Sequence, residues 1–226
     1  MGNQGADGTA GLRATGIVLA AGAGTRLGRG PKALPPYRGR PLVESVAGAL
    51  LDGGCREVVV VLGAGAPDVA TIAELDRYLT VVNHEWQSGM GSSFLLADQT
   101  ADPADHLLIA LVDQPGLTRA TVGRLLASHR PGRVTAAAYR RREAPDGGKP
   151  ARHKAGQETG QQDRLFRGHP LLIDASLREA VSATVTGDAG ARGFLRAHPD
   201  LVDEVDCSDQ STGEDIDTPD QLRLLG

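Results

Sequence analysis

The chain has 226 residues, which at about 150 residues per domain permits one large α/β domain or two small ones. Charged residues at 23% and hydrophobic residues at 40% describe an ordinary globular balance and exclude a wholly disordered chain. A net charge of −4 argues against general attraction to a nucleic-acid backbone, and two cysteines, Cys55 and Cys207, are too few for a disulfide framework and lack zinc-ligand spacing.

In chain order, residues 1–15 are Gly-rich and polar and predict a disordered tail, with one folded domain over 16–226. A strand at 16–21 leads to a helix over 41–51, a strand at 57–62 to a helix over 67–78, and a strand at 79–83 to a helix over 92–101. The alternation continues with a strand at 106–112, a helix over 118–128 and a strand at 134–139. It then breaks: residues 140–168 carry hardly any apolar side chains and predict a flexible polar insertion over 141–165. Strands at 170–174 and 201–205 and helices over 191–197 and 218–225 complete the pattern. Such alternation implies βαβ crossovers and an α/β fold, a Rossmann-like, mostly parallel sheet with helices on both faces. No signal peptide and no apolar run of membrane-spanning length is visible, so the expectation is a cytoplasmic protein with neither membrane nor nucleic acid as partner.

The first strand runs into a loop holding Gly22, Gly24, Arg26, Gly28, Gly30 and Lys32. Backbone N–H groups of such a loop can face phosphate oxygens without Cβ obstruction, and the guanidinium and ammonium add charge. Neither the dinucleotide spacing G-x-G-x-x-G nor the Gly-Lys-Ser/Thr of a P-loop is met. The stretch 107–115 places Asp113 at the C-terminal end of a wholly apolar strand, the sheet edge where ligands bind and where Mg²⁺ finds a carboxylate beside substrate phosphates. The same Asp-x-Pro sequence can also simply initiate a turn. Small residues around Ser92 can offer hydroxyl and N–H groups to a nucleotide or cap a helix. Asp217 precedes a helix start, and His169, Asp188 and Arg192 stand beside turns that follow the insertion.

Taken in order, LAAGAGTRLG, PKAL, GRPL, WQSGMGSS, LVDQP, GHPLLID, GDAGAR and DIDTPDQL resemble the MobA-like NTP transferases of the molybdenum cofactor group, closest to the cytidylyltransferases. The resemblance runs from residue 16 to the last residue, and the insertion looks longer than the group usually has. It implies the nucleotide-diphospho-sugar transferase type of fold and a Mg²⁺-dependent transfer of a nucleoside monophosphate, CMP from CTP, to a phosphorylated acceptor, molybdopterin, with release of pyrophosphate. By motif, Ala20, Ala21 and Gly22 would line the base. Gly24, Arg26, Lys32 and Ser92 would complete the nucleotide site, with Arg26 and Lys32 on the triphosphate. Asp113 and Asp217 would hold the metal, and Arg26, Lys32 and Asp113 would be the catalytic set. His169, Asp188 and Arg192 would meet the acceptor.

Two other readings stay open. One is a non-catalytic nucleotide-binding accessory or chaperone for a molybdenum enzyme, which would have no need of two metal carboxylates. The other is an oxidoreductase of a nicotine-derived pigment, a label also attached to relatives of this sequence type, against which stands the missing dinucleotide fingerprint.

Overall fold

The structure, a computed structural model, describes residues 12–28, 30–140, 165–218 and 221. The strands are β1 (Ala14–Ala20), β2 (Pro36–Tyr37), β3 (Arg40–Pro41), β4 (Glu57–Leu62), β5 (Leu79–Val82), β6 (His106–Leu111), β7 (Val134–Arg140), β8 (Leu165–Ile173) and β9 (Val202–Asp206). The helices are α1 (Leu42–Asp52), α2 (Ala66–Ile72), α3 (Met90–Thr100), α4 (Arg119–Ser128), α5 (Arg178–Ser182) and α6 (Arg192–Ala197). Seven strands form one sheet in the order β5-β4-β1-β6-β8-β7-β9, and β2 and β3 form a small separate hairpin.

Continuous apolar runs make β1, β4 and β6 buried on both faces, as parallel strands under helices must be. Alternate residues of β1 feed two cores. Val18 and Ala20 pack with Leu42, Val46 and Leu50 of α1 and with Val122 and Leu125 of α4. Ile17 and Leu19 pack with Phe94 and Ala97 of α3, Val181 of α5 and Phe194 of α6. This period-two split is the reason helices cover both sides. Among the described residues, no helix is long and apolar enough to cross a membrane.

Several boundaries differ from the sequence expectation. Ala14 and Thr15, expected in the tail, are fully buried in β1. Thr15 Oγ1 donates to Asp105 Oδ2 at 2.9 Å and Arg56 N–H donates to the Ala14 carbonyl at 2.9 Å, so polar partners extend the strand beyond its apolar run. The helix expected over 67–78 stops at Ile72, because Ala73 turns extended and the Glu74 N–H is taken by Glu44 Oε1 at 2.9 Å. Leu75 is still buried, so its spacing reported burial and not helix. The strand expected at 170–174 spans Leu165–Ile173 and runs antiparallel to both β6 and β7, with an irregular register between Ala136 and Ala138. Leu165, placed in the insertion by composition, belongs to that strand. Residues 1–11 and 141–164, and the helix expected over 218–225 apart from Thr218 and Gln221, lie outside the described residues.

Candidate active site

The register between β1 and β6 places Leu19 opposite Leu111, so the glycine loop and Asp113 leave the sheet side by side at its C-terminal edge. β1 has β4 on one flank and β6 on the other, which is the crossover arrangement that opens a crevice in an α/β sheet. The loop itself is a closed excursion. Lys32 N–H donates to the Gly22 carbonyl at 3.1 Å, and Leu27 N–H to the Gly24 carbonyl at 2.9 Å.

Asp217 reaches the same place from the far end of the chain. Ile216 is fully buried and its N–H donates to the Asp113 carbonyl at 2.8 Å, which lays the 215–217 segment against the end of β6. Lys32 Nζ then donates to Asp113 Oδ2 at 2.6 Å and to Asp217 Oδ1 at 2.5 Å. Arg26 approaches Asp217 Oδ1 at 3.6 Å from the exposed rim. Burial alone would depress the Lys32 amine, but the two aspartates overcome it and raise its pKa. The hydrogen bond from Lys32 holds Asp217 below the usual carboxylate range.

Neighbouring Asp215 points elsewhere. Its Oδ1 accepts from Gln114 Nε2 at 2.7 Å, and burial, aided by the charge of Asp113, raises its pKa. The two-residue spacing of an extended segment thus sends Asp215 and Asp217 to different sides.

A cleft of about 430 Å³ opens above this edge, lined by Ala21, Gly22, Gly24, Arg26, Lys32 and Asp113 together with Trp86, Met90 and Ser93. A second cleft of about 730 Å³ is lined by Phe166, His169, Leu171, Arg192, Arg196 and Asp215, among others. The two share Met90, Leu111 and Asp188 and so form one continuous surface. Asp188 fixes the junction: its Oδ1 accepts from the Met90 N–H at 3.2 Å at the start of α3, while Gly91 N–H donates to the Gly187 carbonyl at 2.7 Å. Gly89 permits this approach, with φ of 111° and space for a Cβ only 2.5 Å from the Gly187 carbonyl carbon.

The structure therefore brings Ala21, Gly22, Gly24, Arg26, Lys32, Asp113 and Asp217 together, and it groups His169, Asp188 and Arg192 around the second cleft. Ala20 and Ser92 are not among the lining residues of either cleft. Ala20 is buried in β1. Ser92 Oγ accepts from Asn83 Nδ2 at 2.8 Å and donates to the Gly89 carbonyl at 2.8 Å, so its hydroxyl is committed to joining β5 to α3. Ser93 lines the cleft in its place. His169 is held neutral, with burial and then the charge of Arg192 pushing its pKa down to about 4. Sequence reasoning passed over Trp86, Met90, Gln114, Phe166 and Arg196. The first two lie in the WQSGMGSS motif, whereas Phe166 lies in the polar stretch 140–168, just past the insertion expected over 141–165, and carries no pattern of its own.

The donor set at the edge suits a divalent cation. Two carboxylates converge, and Asp113 Oδ1 is buried with no hydrogen-bond partner among the described residues, a costly state that a bound cation would relieve.

Comparison with known proteins places the chain in a family and among relatives and solved structures. Residues 16–202 match the family described as the MobA-like NTP transferase domain. The chain is 58% identical over 212 residues to the nicotine blue oxidoreductase of Paenarthrobacter nicotinovorans, covering 93% of this chain and 96% of that protein. It is 29% identical over 214 residues to the molybdenum cofactor guanylyltransferase of Xanthomonas euvesicatoria pv. vesicatoria, covering 93% of each. Among solved structures, Rv0371c of Mycobacterium tuberculosis H37Rv superposes with a TM-score of 0.73 at 24% identity over 95% of this chain and 98% of that one, and it has also been solved in complex with manganese.

Proposed function

This chain belongs to the MobA-like NTP transferase family, and from that premise we propose that it is an enzyme moving a nucleoside monophosphate, CMP from CTP, onto a phosphorylated acceptor with release of pyrophosphate. The observation that carries the reading is the meeting of Lys32, Arg26 and the glycine loop with Asp113 and Asp217 at one sheet edge. In this reading the triphosphate lies along the loop, where Lys32, Arg26 and backbone N–H groups neutralise the leaving pyrophosphate and the non-bridging oxygens. Mg²⁺ held by Asp113 and Asp217 would supply further charge neutralisation at the α-phosphate. The acceptor, a molybdopterin-type phosphate, sits in the second cleft against His169, Arg192 and Phe166 and presents one oxygen in line with the leaving group. That phosphate is already largely ionised near neutral pH, so its oxygen attacks without a protein base, and the bond to pyrophosphate breaks as the new P–O bond forms. Neutral His169 offers a hydrogen bond without adding charge. A molybdenum enzyme is the natural recipient of the product, and the cytoplasm the compartment in which NTP, Mg²⁺ and free thiols coexist.

A second reading has one specific observation in its favour, the 58% identity to a protein named for oxidoreduction. In it, the same two clefts hold a reduced nicotinamide nucleotide and a flat pyridine-derived pigment. One experiment separates the two. The protein is incubated with each NTP, Mg²⁺ and molybdopterin while pyrophosphate is measured, and in parallel with NAD(P)H and a blue pyridine pigment while absorbance is followed. Pyrophosphate release that depends on NTP and acceptor supports transfer. Nicotinamide oxidation with no pyrophosphate in any arm replaces it with the second reading.

A further inference from the structure

The ammonium of Lys32 occupies the position between Asp113 Oδ2 and Asp217 Oδ1 that a divalent cation bridging the two carboxylates would need. Its side chain is 17% exposed, and those of Asp113 and Asp217 are 13% and 33% exposed, so the three charges face each other in a largely dehydrated place where like charges repel strongly. Among the described residues Lys32 is the cation that bonds both carboxylates; Arg26 stands 3.6 Å from Asp217 alone on the exposed rim, and Asp113 Oδ1 is left buried without a partner. Without Lys32 the two aspartates would repel each other, so the lysine is what keeps the pair assembled while no metal is bound.

We propose that Lys32 is a built-in stand-in cation, which holds the Asp113–Asp217 pair in place and competes with the divalent ion for it. The proposal rests on the nucleotidyl-transfer reading of the site and adds a rule of admission to it. With Lys32 on Asp113 Oδ2 and Asp217 Oδ1, a divalent ion reaching Asp113 Oδ1 would stand beside the ammonium in a poorly hydrated place, and two cations so close repel, so metal enters as Lys32 leaves. The lysine has somewhere to go. Its stem passes over Gly22, where a Cβ would lie 3.5 Å from Lys32 Cδ, and a four-carbon stem has the rotational freedom to swing its head to the phosphate loop. Nucleotide phosphates arriving on that loop offer the ammonium a new anion, and the metal arriving with them takes the aspartates. The protein without nucleotide therefore binds divalent ions poorly, and metal and nucleotide enter together.

The test is direct metal binding without nucleotide. Mn²⁺ is titrated into the unaltered protein and into Lys32→Met, Lys32→Gln and Lys32→Arg, with bound metal read by electron paramagnetic resonance and heat, and with folding checked by circular dichroism. Removing the charge in Lys32→Met and Lys32→Gln should tighten Mn²⁺ binding by about tenfold or more, within the usual range of coupling between linked sites, while charge-keeping Lys32→Arg should stay weak. Adding Asp113→Asn to Lys32→Met should abolish the tightened binding. In the unaltered protein, Mg²⁺ titration should also move the NMR resonance of the Lys32 ε-methylene group, a readout that needs no variant. Binding no tighter in Lys32→Met and Lys32→Gln, or Mg²⁺ saturation without movement of that resonance, overturns the competition while the metal site itself stands. Mn²⁺ binding indifferent to Asp113→Asn in every background overturns both.

Discussion

A Cβ on Gly24 would stand 2.2 Å from the Gly30 carbonyl oxygen, so the two ends of the glycine loop touch at a point where only hydrogen fits. Gly24 also has a φ of 62°, in the left-handed region that costs other residues about 1 to 2 kcal/mol. Gly24→Ala should force the loop open and displace Arg26 and Lys32. The expected result is a fall in turnover of about a hundredfold, the scale of an ångström-sized misplacement, with the far-ultraviolet spectrum unchanged. Unaltered turnover in the folded variant would show that the loop does not position the nucleotide.

Asp217 and Asp215 provide an internal contrast, because they differ in partner and not in chemistry. If Asp113 and Asp217 hold the metal as proposed, Asn at either should lower pyrophosphate release by orders of magnitude, the several kcal/mol that a lost metal ligand removes from transition-state stabilisation. Asp215→Asn should be far milder in rate and should show itself in the acceptor KM, since Asp215 lines the second cleft. Equal losses at all three positions would reduce the site to generic acidity.

His169 makes stability fall on the acid side of neutrality. Its imidazole stays near a pKa of about 4 in the folded protein against 6.5 when free, for which burial is the main cause and Arg192 the second. Between those values the unfolded chain takes up a proton that the folded chain refuses, so stability drops as pH falls from about 6.5 to about 4. His169→Gln should flatten that part of the curve in urea denaturation at pH 7, 5.5 and 4.5. Parallel curves for both proteins would place His169 in a solvent-like setting.

Asp174 has the opposite sense. Burial would raise it, but Ser176 Oγ at 2.6 Å, the Ser176 N–H at 2.9 Å, the Gly132 N–H and His129 bring it down to about 2 from 3.8. Its stabilisation is complete above the unfolded value and is lost as pH falls through about 2. Asp174→Asn should cost about 2 kcal/mol at pH 7 and almost nothing near pH 2, read from unfolding midpoints at the two pH values. His106 and His129 join this carboxylate in one cluster, with His106 Nδ1 accepting the Ala175 N–H at 2.9 Å and His129 Nδ1 paired with Thr135 Oγ1 at 2.9 Å. The cluster ties the starts of β6 and β7 to the end of β8, opposite the active-site edge.

What the sequence by itself determined is what depends on local burial. Uninterrupted short apolar runs such as Val58 to Leu62 and Leu107 to Leu111 read as strands covered on both faces, which they are, and the glycines and cations from Gly22 to Lys32 are concentrated in one loop wherever the chain goes next. The tertiary structure alone decided partnership and direction. That β8 runs antiparallel and that Phe166 faces a cleft follow from contacts between segments far apart in the chain, and that Ser92 is spent on Asn83 follows from how β5 hands over to α3, which periodicity does not record. The same holds for Asp217. Its place beside Lys32 is set by one backbone hydrogen bond from Ile216 to Asp113 and by the register of Leu19 on Leu111, and periodicity carries no record of which distant segment a strand will meet.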